Sequence, residues 1–276
     1  MNRVGVVVLN YNNYNETIHC VRSIVSQEGI ELKIVVVENG SANESYEKLV
    51  EEFSTQKSVH IIRKDINVGY AKGNNIGIKF LRDAGYDFIV VCNSDVIFST
   101  RRILKTMVDS NDYSIGTMIP IIRNLDGSIE MRAQYRKSLF GLRILKELIK
   151  MQRIFKANNN INNIGNSMEV LQGGIQKSYF VITGSIFALT PTFFEHYNAL
   201  FSETFLYAEE LATLLLVYKA GLNTAIIDTD DVIHKGAAST GENLRAGTLK
   251  KRKMIAQSAR KVMKLVFLPE SVIRNL

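Results

Sequence analysis

The sequence predicts an α/β fold on a mostly parallel central sheet flanked by helices, continued by a second half that carries basic amphipathic helices. Three observations predict it. Short β-branched apolar runs recur through the first hundred residues, helical apolar spacings separate them, and strongly polar residues follow each run. Continuous apolar runs are the pattern of strands covered on both faces, and strand–helix–strand repetition is the pattern of a parallel sheet.

The elements follow in order. Val4–Leu9 reads as the first strand, and Thr17, Ile18, Val21, Ile24 and Val25 fall at the spacings of one helical face. Ile34–Val37 reads as the second strand, Tyr46, Leu49, Val50 and Phe53 as the next helix, Val59–Ile62 as the third strand and Ala71–Leu81 as the third helix. Phe88–Cys92 is the fourth strand, with a helix expected over Thr100–Val108. Beyond Asp95 the rhythm changes. Ile115–Ile122 and Ser128–Met131 read as two strands joined by a turn with the Asp126-Gly127 signal. A basic helix then spans Gly141 to Phe155, and Asn158–Asn166 has the composition of a loop. Phe180–Leu189 reads as one strand or two, Phe201 to Gly221 as a loop and an apolar helix ended by glycine, and Ala225–Asp228 as a short strand. No internal repeat divides the chain. The expected organisation is one domain over residues 1–240, with halves 1–97 and 98–240, and a basic amphipathic helical extension over 241–276.

Composition excludes several classes. With 276 residues, 46% apolar and 22% charged, the chain is neither disordered, of low complexity nor collagenous. Two cysteines, Cys20 and Cys92, are too few for a disulfide framework, which points to a reducing, cytoplasmic compartment. The N-terminus lacks the longer apolar core and small-residue cleavage site of a signal peptide, and the longest uncharged stretch, Tyr179–Phe194, is broken by Gly184 and Pro191 and makes a poor spanning helix. The net charge of +7 is concentrated: eight basic residues stand between Arg132 and Lys156 against Glu147 alone, and eight more between Arg245 and Lys264 against none. The remainder is acidic. Two basic amphipathic segments on an acidic body suit an anionic membrane surface, although such stripes ordinarily dock on a core. Nucleic acid is not expected as a partner, because no binding motif with interleaved aromatics is present.

Ligands of open parallel sheets sit at the carboxyl ends of the strands. The predicted ends are Asn10-Tyr11-Asn12, Glu38-Asn39-Gly40-Ser41, Asn67-Val68-Gly69-Tyr70 and Asn93-Ser94-Asp95. Each alone is ordinary turn chemistry; four on one edge shift the balance toward a site. Neither a Gly-x-Gly-x-x-Gly fingerprint after the first strand nor a Gly-x-x-x-x-Gly-Lys-Ser/Thr loop is present. A bound phosphate would therefore need another counter-charge, such as a divalent cation on Asp95. Asp95 alone would equally serve as the cap of the helix expected at Thr100–Val108.

Taken together and in order, these motifs resemble those of the family 2 inverting glycosyltransferases of the GT-A fold, in particular the bacterial branch that includes rhamnosyltransferases of surface-polysaccharide assembly. The resemblance also covers Lys72-Gly73-Asn74-Asn75, Leu125-Asp126-Gly127-Ser128-Ile129, Gly184-Ser185, Phe205-Leu206-Tyr207-Ala208-Glu209-Glu210-Leu211 and His234-Lys235-Gly236-Ala237-Ala238-Ser239. It implies a nucleotide-binding half over 1–97 and an acceptor half over 98–240. Asn10, Tyr11, Asn12, Glu38, Asn39, Asn67, Gly69, Tyr70, Lys72, Asn75, Asn93, Ser94 and Asp95 would line the donor pocket. Asp95 and His234 would hold Mg²⁺ or Mn²⁺ against the diphosphate. Glu209-Glu210 stands where the family carries Glu-Asp, so Glu210, beside Glu209, would be the general base. The implied partners are a nucleotide-diphosphate sugar, UDP- or dTDP-linked, and a lipid-linked glycan acceptor, with the enzyme peripheral at the inner face of a bacterial membrane. Glu38 and Glu210 replace family aspartates and Ala212 replaces another, which leaves a second reading open: a non-catalytic nucleotide-sugar or glycan-binding subunit.

Overall fold

The structure, a computed structural model, describes residues 2–130, 134–135, 140–153, 175–180, 182–236 and 249–274. The loop expected at Asn158–Asn166, the end of the strand expected at Met131 and the boundary at residue 240 lie outside the described residues.

The first half alternates as expected: β1 (Arg3–Asn10), α1 (Tyr14–Val25), β2 (Glu31–Asn39), α2 (Ser45–Phe53), β3 (Val59–Lys64), α3 (Tyr70–Asp83) and β4 (Phe88–Asn93). The strands pair in parallel in the order β3-β2-β1-β4. Side-chain alternation along β1 decides which layer each residue joins. Val4, Val6 and Val8 pack with Cys20, Val21 and Ile24 of α1, whereas Val7 packs on the opposite face with Ile78 and Leu81 of α3. Both faces are covered, so these valines are fully buried, each worth roughly 1.5–3 kcal/mol relative to exposure.

The second half continues the sheet with mixed pairing. It comprises β5 (Val96–Phe98), α4 (Ile103–Asp109), β6 (Ile115–Asn124), β7 (Gln134–Tyr135), α5 (Phe140–Arg153), β8 (Ile175–Phe180), β9 (Ile186–Leu189), α6 (Pro191–His196), α7 (Glu209–Lys219), β10 (Asn223–His234), α8 (Leu249–Phe267) and α9 (Glu270–Ile273). Strand β9 runs antiparallel between β4 and β6, β6 and β10 are parallel, and β8 and β5 each pair antiparallel with β10.

Four differences from the sequence reading have physical reasons. Asp95 is followed by β5, and Arg102 occupies the position before α4, so Asp95 is not a helix cap. The strand expected at Ser128–Met131 is reduced, over its described part, to one bridge between Arg123 and Ile129, because the Asp126 side chain binds Ser128 and keeps the chain in a turn. The short strand at Ala225–Asp228 is the middle of β10, which runs through Asp228, Asp230 and Asp231 by a register shift between Ile227 and Val232. Charge broke the apolar pattern there without ending the strand. Helix α6 was not anticipated, although Thr190 caps it by accepting from the Phe193 N–H at 3.2 Å and Pro191 opens it.

The apolar stripes of the two basic helices are docked. Ile144 and Leu148 of α5 are fully buried in the same cluster as Ala259, Val262 and Leu265 of α8.

Candidate functional site

The carboxyl ends of β1, β2 and β4 meet the start of α3 at one edge of the sheet, and their polar side chains build its rim. Asn10 is fully buried; its Oδ1 accepts from Thr17 Oγ1 at 2.8 Å and its amide points to Ser41 Oγ at 3.4 Å. Ser41 Oγ also accepts from the Asn12 N–H, while the Ser41 N–H donates to Glu38 Oε1 at 2.8 Å. Glu38 and Asn39 are each 2% exposed. Asn39 reaches the next loop, donating to Asn67 Oδ1 at 3.1 Å and accepting from the Val68 N–H at 3.1 Å. Asn67 Oδ1 in turn accepts from Gly69 N–H at 2.9 Å. Glycine is required at 69: φ is +91°, and a Cβ would stand 2.6 Å from the Phe205 carbonyl oxygen.

The other residues expected in the pocket sit in different settings. Tyr11 and Lys72 are exposed, and Ser94 is buried. Asn93 donates its N–H to the Ser185 carbonyl at 2.7 Å. Tyr70 is half-buried and donates its hydroxyl to the Gly184 carbonyl at 2.7 Å. Asn75 commits its amide to a single residue: Nδ2 donates to the Leu200 carbonyl at 2.8 Å, and Oδ1 accepts from the Leu200 N–H at 2.9 Å.

Asp95, 2% exposed, ends this edge. His234 joins it because β10 runs antiparallel to β5, pairing His234 with Val96, and the Lys235 N–H donates to the Asp95 carbonyl at 3.0 Å. His234 lies between two carboxylates, its Nε2 3.5 Å from Asp95 Oδ2 and its Nδ1 3.6 Å from Glu130 Oε2. Those two acids raise its pKa to about 9. Glu130 was not anticipated. It is brought here by the Asp126-Gly127 turn, which folds its N–H onto the Ile122 carbonyl at 2.8 Å, and the only sequence signal was that turn. Among the described residues no group of three or more His, Cys, Asp or Glu side chains is arranged to hold a metal by itself. The Asp95 carboxylate nevertheless fits Mn²⁺ or Mg²⁺ bound together with diphosphate oxygens and water, and His234 would join it through a ring nitrogen only on giving up its proton.

On the facing side α7 begins after a strained turn. Tyr207 and Ala208 have φ of 76° and 68°, a conformation that costs a non-glycine residue of order 1 kcal/mol. The turn presents Glu209 and Glu210 at the helix N-terminus, where the dipole favours negative charge. Glu209 is nevertheless buried, and that burial, with the Glu210 charge beside it, raises its pKa to about 8. Burial, followed by the charges of Glu210 and Glu209, holds the Tyr70 phenol well above its usual range, so it donates rather than ionises. Against this helix start lies the Thr183–Ser185 turn: a Cβ on Gly184 would stand 2.6 Å from Glu210 Oε1.

Buried amides and carboxylates at the carboxyl ends of a parallel sheet, with no glycine-rich phosphate loop, define an α/β protein that takes its ligand across the strand ends. The particular family is shown by comparison. Residues 5–165, more than half of the chain, match the family described as glycosyl transferase family 2, and the protein belongs to that family. A hexosyltransferase of low-salt glycan biosynthesis from Haloferax volcanii, Agl10, is 27% identical over 127 residues, 45% of this chain and 38% of that protein. The chain thus matches well under half the length of that relative. The crystal structure of S. aureus TarS 1-349 is similar with a TM-score of 0.55 at 14% identity, over 94% of this chain and 71% of that one. The same TarS segment in complex with UDP-GlcNAc gives a TM-score of 0.56 at 13% identity, over 94% of this chain and 72% of that one. These structural likenesses establish the GT-A fold.

Proposed function

We propose that this protein is a metal-dependent inverting glycosyltransferase that moves a hexosyl or rhamnosyl group from a UDP- or dTDP-linked sugar to a hydroxyl of a lipid-linked surface glycan. The observation that carries this reading is the meeting of two carboxylate-bearing elements across one turn. The Thr183–Ser185 turn is bonded through Ser185 to Asn93, two residues before Asp95, and lies against Glu210 on its other side.

Inversion needs a base on the acceptor side of the anomeric carbon and charge compensation on the leaving-group side. Glu210 is the base, accepting the proton of the acceptor hydroxyl as it attacks. Glu209, largely neutral near pH 7, keeps a second full charge away from the helix start. Asn10, Asn39 and Asn67 hold the loops around the nucleotide. Mg²⁺ or Mn²⁺ held by Asp95 and His234 would compensate the charge of the diphosphate. The test is nucleoside diphosphate release from UDP-glucose, UDP-GlcNAc and dTDP-rhamnose with Mn²⁺. Glu210→Gln is expected to abolish release; full activity of that variant removes Glu210 from the mechanism, and no release by the unaltered protein favours the binding-subunit reading.

The acceptor side includes an anionic membrane. On the outward face of α8, Lys253, Arg260 and Lys264 lie between Leu249 and Phe267, which are 70% and 73% exposed. Leu249 and Phe267 are about five helical turns apart and share that face. Each basic side chain near an anionic surface contributes about 1 kcal/mol. Sedimentation with phosphatidylglycerol vesicles is expected to retain the protein, and phosphatidylcholine vesicles are not; equal binding to both removes the membrane from the reading. No helix among the described residues is long and apolar enough to cross a membrane.

A further inference from the structure

We infer that Gly184, locked in place by the buried Tyr70 hydroxyl, is the positioning residue for the Glu210 carboxylate. The inference rests on the reading of Glu210 as the base and adds what sets that base in place.

Glycine at 184 is a matter of space. Its backbone is outside the left-handed region, so any residue could adopt the conformation. What a side chain would meet is Glu210: the three nearest atoms to a Cβ at 184 are Glu210 Oε1 at 2.6 Å, Cδ at 3.6 Å and Cγ at 3.9 Å. A real Cβ does not tolerate the first distance, so one partner would have to move. The turn is the less able to do so. Its Gly184 carbonyl accepts from Tyr70 Oη at 2.7 Å, its Ser185 carbonyl accepts from the Asn93 N–H at 2.7 Å, and Thr183 Oγ1 accepts from the Ser185 and Ile186 N–H groups at 3.1 and 3.3 Å. Tyr70 is itself held, its N–H donating to the Phe205 carbonyl at 2.8 Å.

The turn is therefore a fixed wall and the carboxylate the movable part. Tyr70 connects the first turn of α3 to that wall and, through Phe205, to the loop that leads into α7. One residue thus ties the start of α3 to both neighbours, its hydroxyl to the turn and its N–H to the loop before the base. A methyl at 184 would displace a flexible carboxylate with little effect on folding, and a misplacement of about 1 Å at a reacting group costs up to about a hundredfold in rate.

The experiment measures nucleoside diphosphate release from whichever of UDP-glucose, UDP-GlcNAc or dTDP-rhamnose the unaltered protein turns over with Mn²⁺, alongside thermal unfolding. Gly184→Ala is expected to lower kcat about tenfold or more, with donor KM within about twofold and the unfolding temperature within about 2 °C. Tyr70→Phe, which frees the wall without adding a group, is expected to lower kcat by a smaller factor in the same pattern. Glu210→Asp retracts the carboxylate by one methylene, so its cost is expected to be at least about threefold smaller when combined with Gly184→Ala than in the otherwise unaltered protein. An unchanged kcat in Gly184→Ala, or independent multiplication of the two effects, overturns the positioning role. Release that persists in Glu210→Gln, or is absent from the unaltered protein, overturns the reading beneath it instead.

Discussion

Asp95 and His234 meet at the edge of the sheet because β5 leaves Asp95 in one direction while β10 arrives at His234 in the other. The pairing of Val96 with His234 sets Asp95 Oδ2 3.5 Å from His234 Nε2. Backbone register brings the two residues together, and their side chains make the contact.

Asp95→Asn is accordingly expected to leave the fold intact and remove cation-dependent nucleotide binding. With Mn²⁺ and UDP or dTDP at about a hundred times Kd, the unaltered protein gains about 2.7 kcal/mol, a rise of several degrees in unfolding temperature. Asp95→Asn is expected to lose most of that gain while its unfolding temperature without ligand stays close to that of the parent. An undiminished Mn²⁺-dependent shift in the variant means that Asp95 does not hold the cation.

Glu209 gives the fold a pH dependence of definite sign. Burial and the neighbouring Glu210 raise its pKa from 4.5 to about 8, so the protonated form is the one the fold accommodates. Its favourable contribution is fully present below the unfolded pKa of 4.5 and is lost as pH rises through about 8. Glu209→Gln fixes the neutral form. The variant is expected to match the parent in denaturant stability at about pH 5 and to exceed it by about 1–3 kcal/mol at about pH 9. Equal pH dependence of the two proteins would mean that Glu209 is solvated.

How much of this was legible depended on whether the signal was local. The parallel half was read from Val4–Leu9, Ile34–Val37, Val59–Ile62 and Phe88–Cys92, because strands covered on both faces have continuous apolar runs. Apart from α6, whose Thr190 cap and Pro191 are local signals, β5 and the far part of β10 have their reason elsewhere in the chain. β5 is three residues long and exists through its pairing with β10; β10 extends through three aspartates because β6 supports it across a register shift. In the candidate site, the residues that end strands were visible as motifs. Glu130 was not, since only the folded turn at Gly127 brings it to His234. The expectation that Asn75 lines the donor pocket came from its motif, whereas in the fold both ends of its amide are engaged by Leu200.

That pair of bonds makes Asn75 a strut between α3 and the segment before α7. Asn75→Ala leaves the Leu200 N–H and carbonyl without these partners, and the expected cost is about 1–3 kcal/mol of stability. Donor KM is expected to change by less than about twofold, since the amide is already engaged by backbone. A variant with unaltered stability and a donor KM raised about tenfold would mean that Asn75 serves the donor pocket rather than the strut.

Cys20 and Cys92 test whether the floor of the site opens. Their sulfurs are 3.9 Å apart and free, with exposures of 0% and 1%, on α1 and on β4 just before the site residues Asn93 and Asp95. Burial, with Cys20 alongside, raises the Cys92 thiol well above its usual range, so the reactive thiolate is scarce as well as shielded. A thiol-reactive disulfide reagent at about pH 8 is expected to modify both cysteines of the folded protein at least about a hundredfold more slowly than those of the denatured chain. Because Cys92 belongs to the strand that delivers Asp95, its protection measures the rigidity of that delivery. Rapid reaction of one thiol in the native state would show that α1 separates from β4, and a metal site resting on that strand end would then have no fixed geometry to offer.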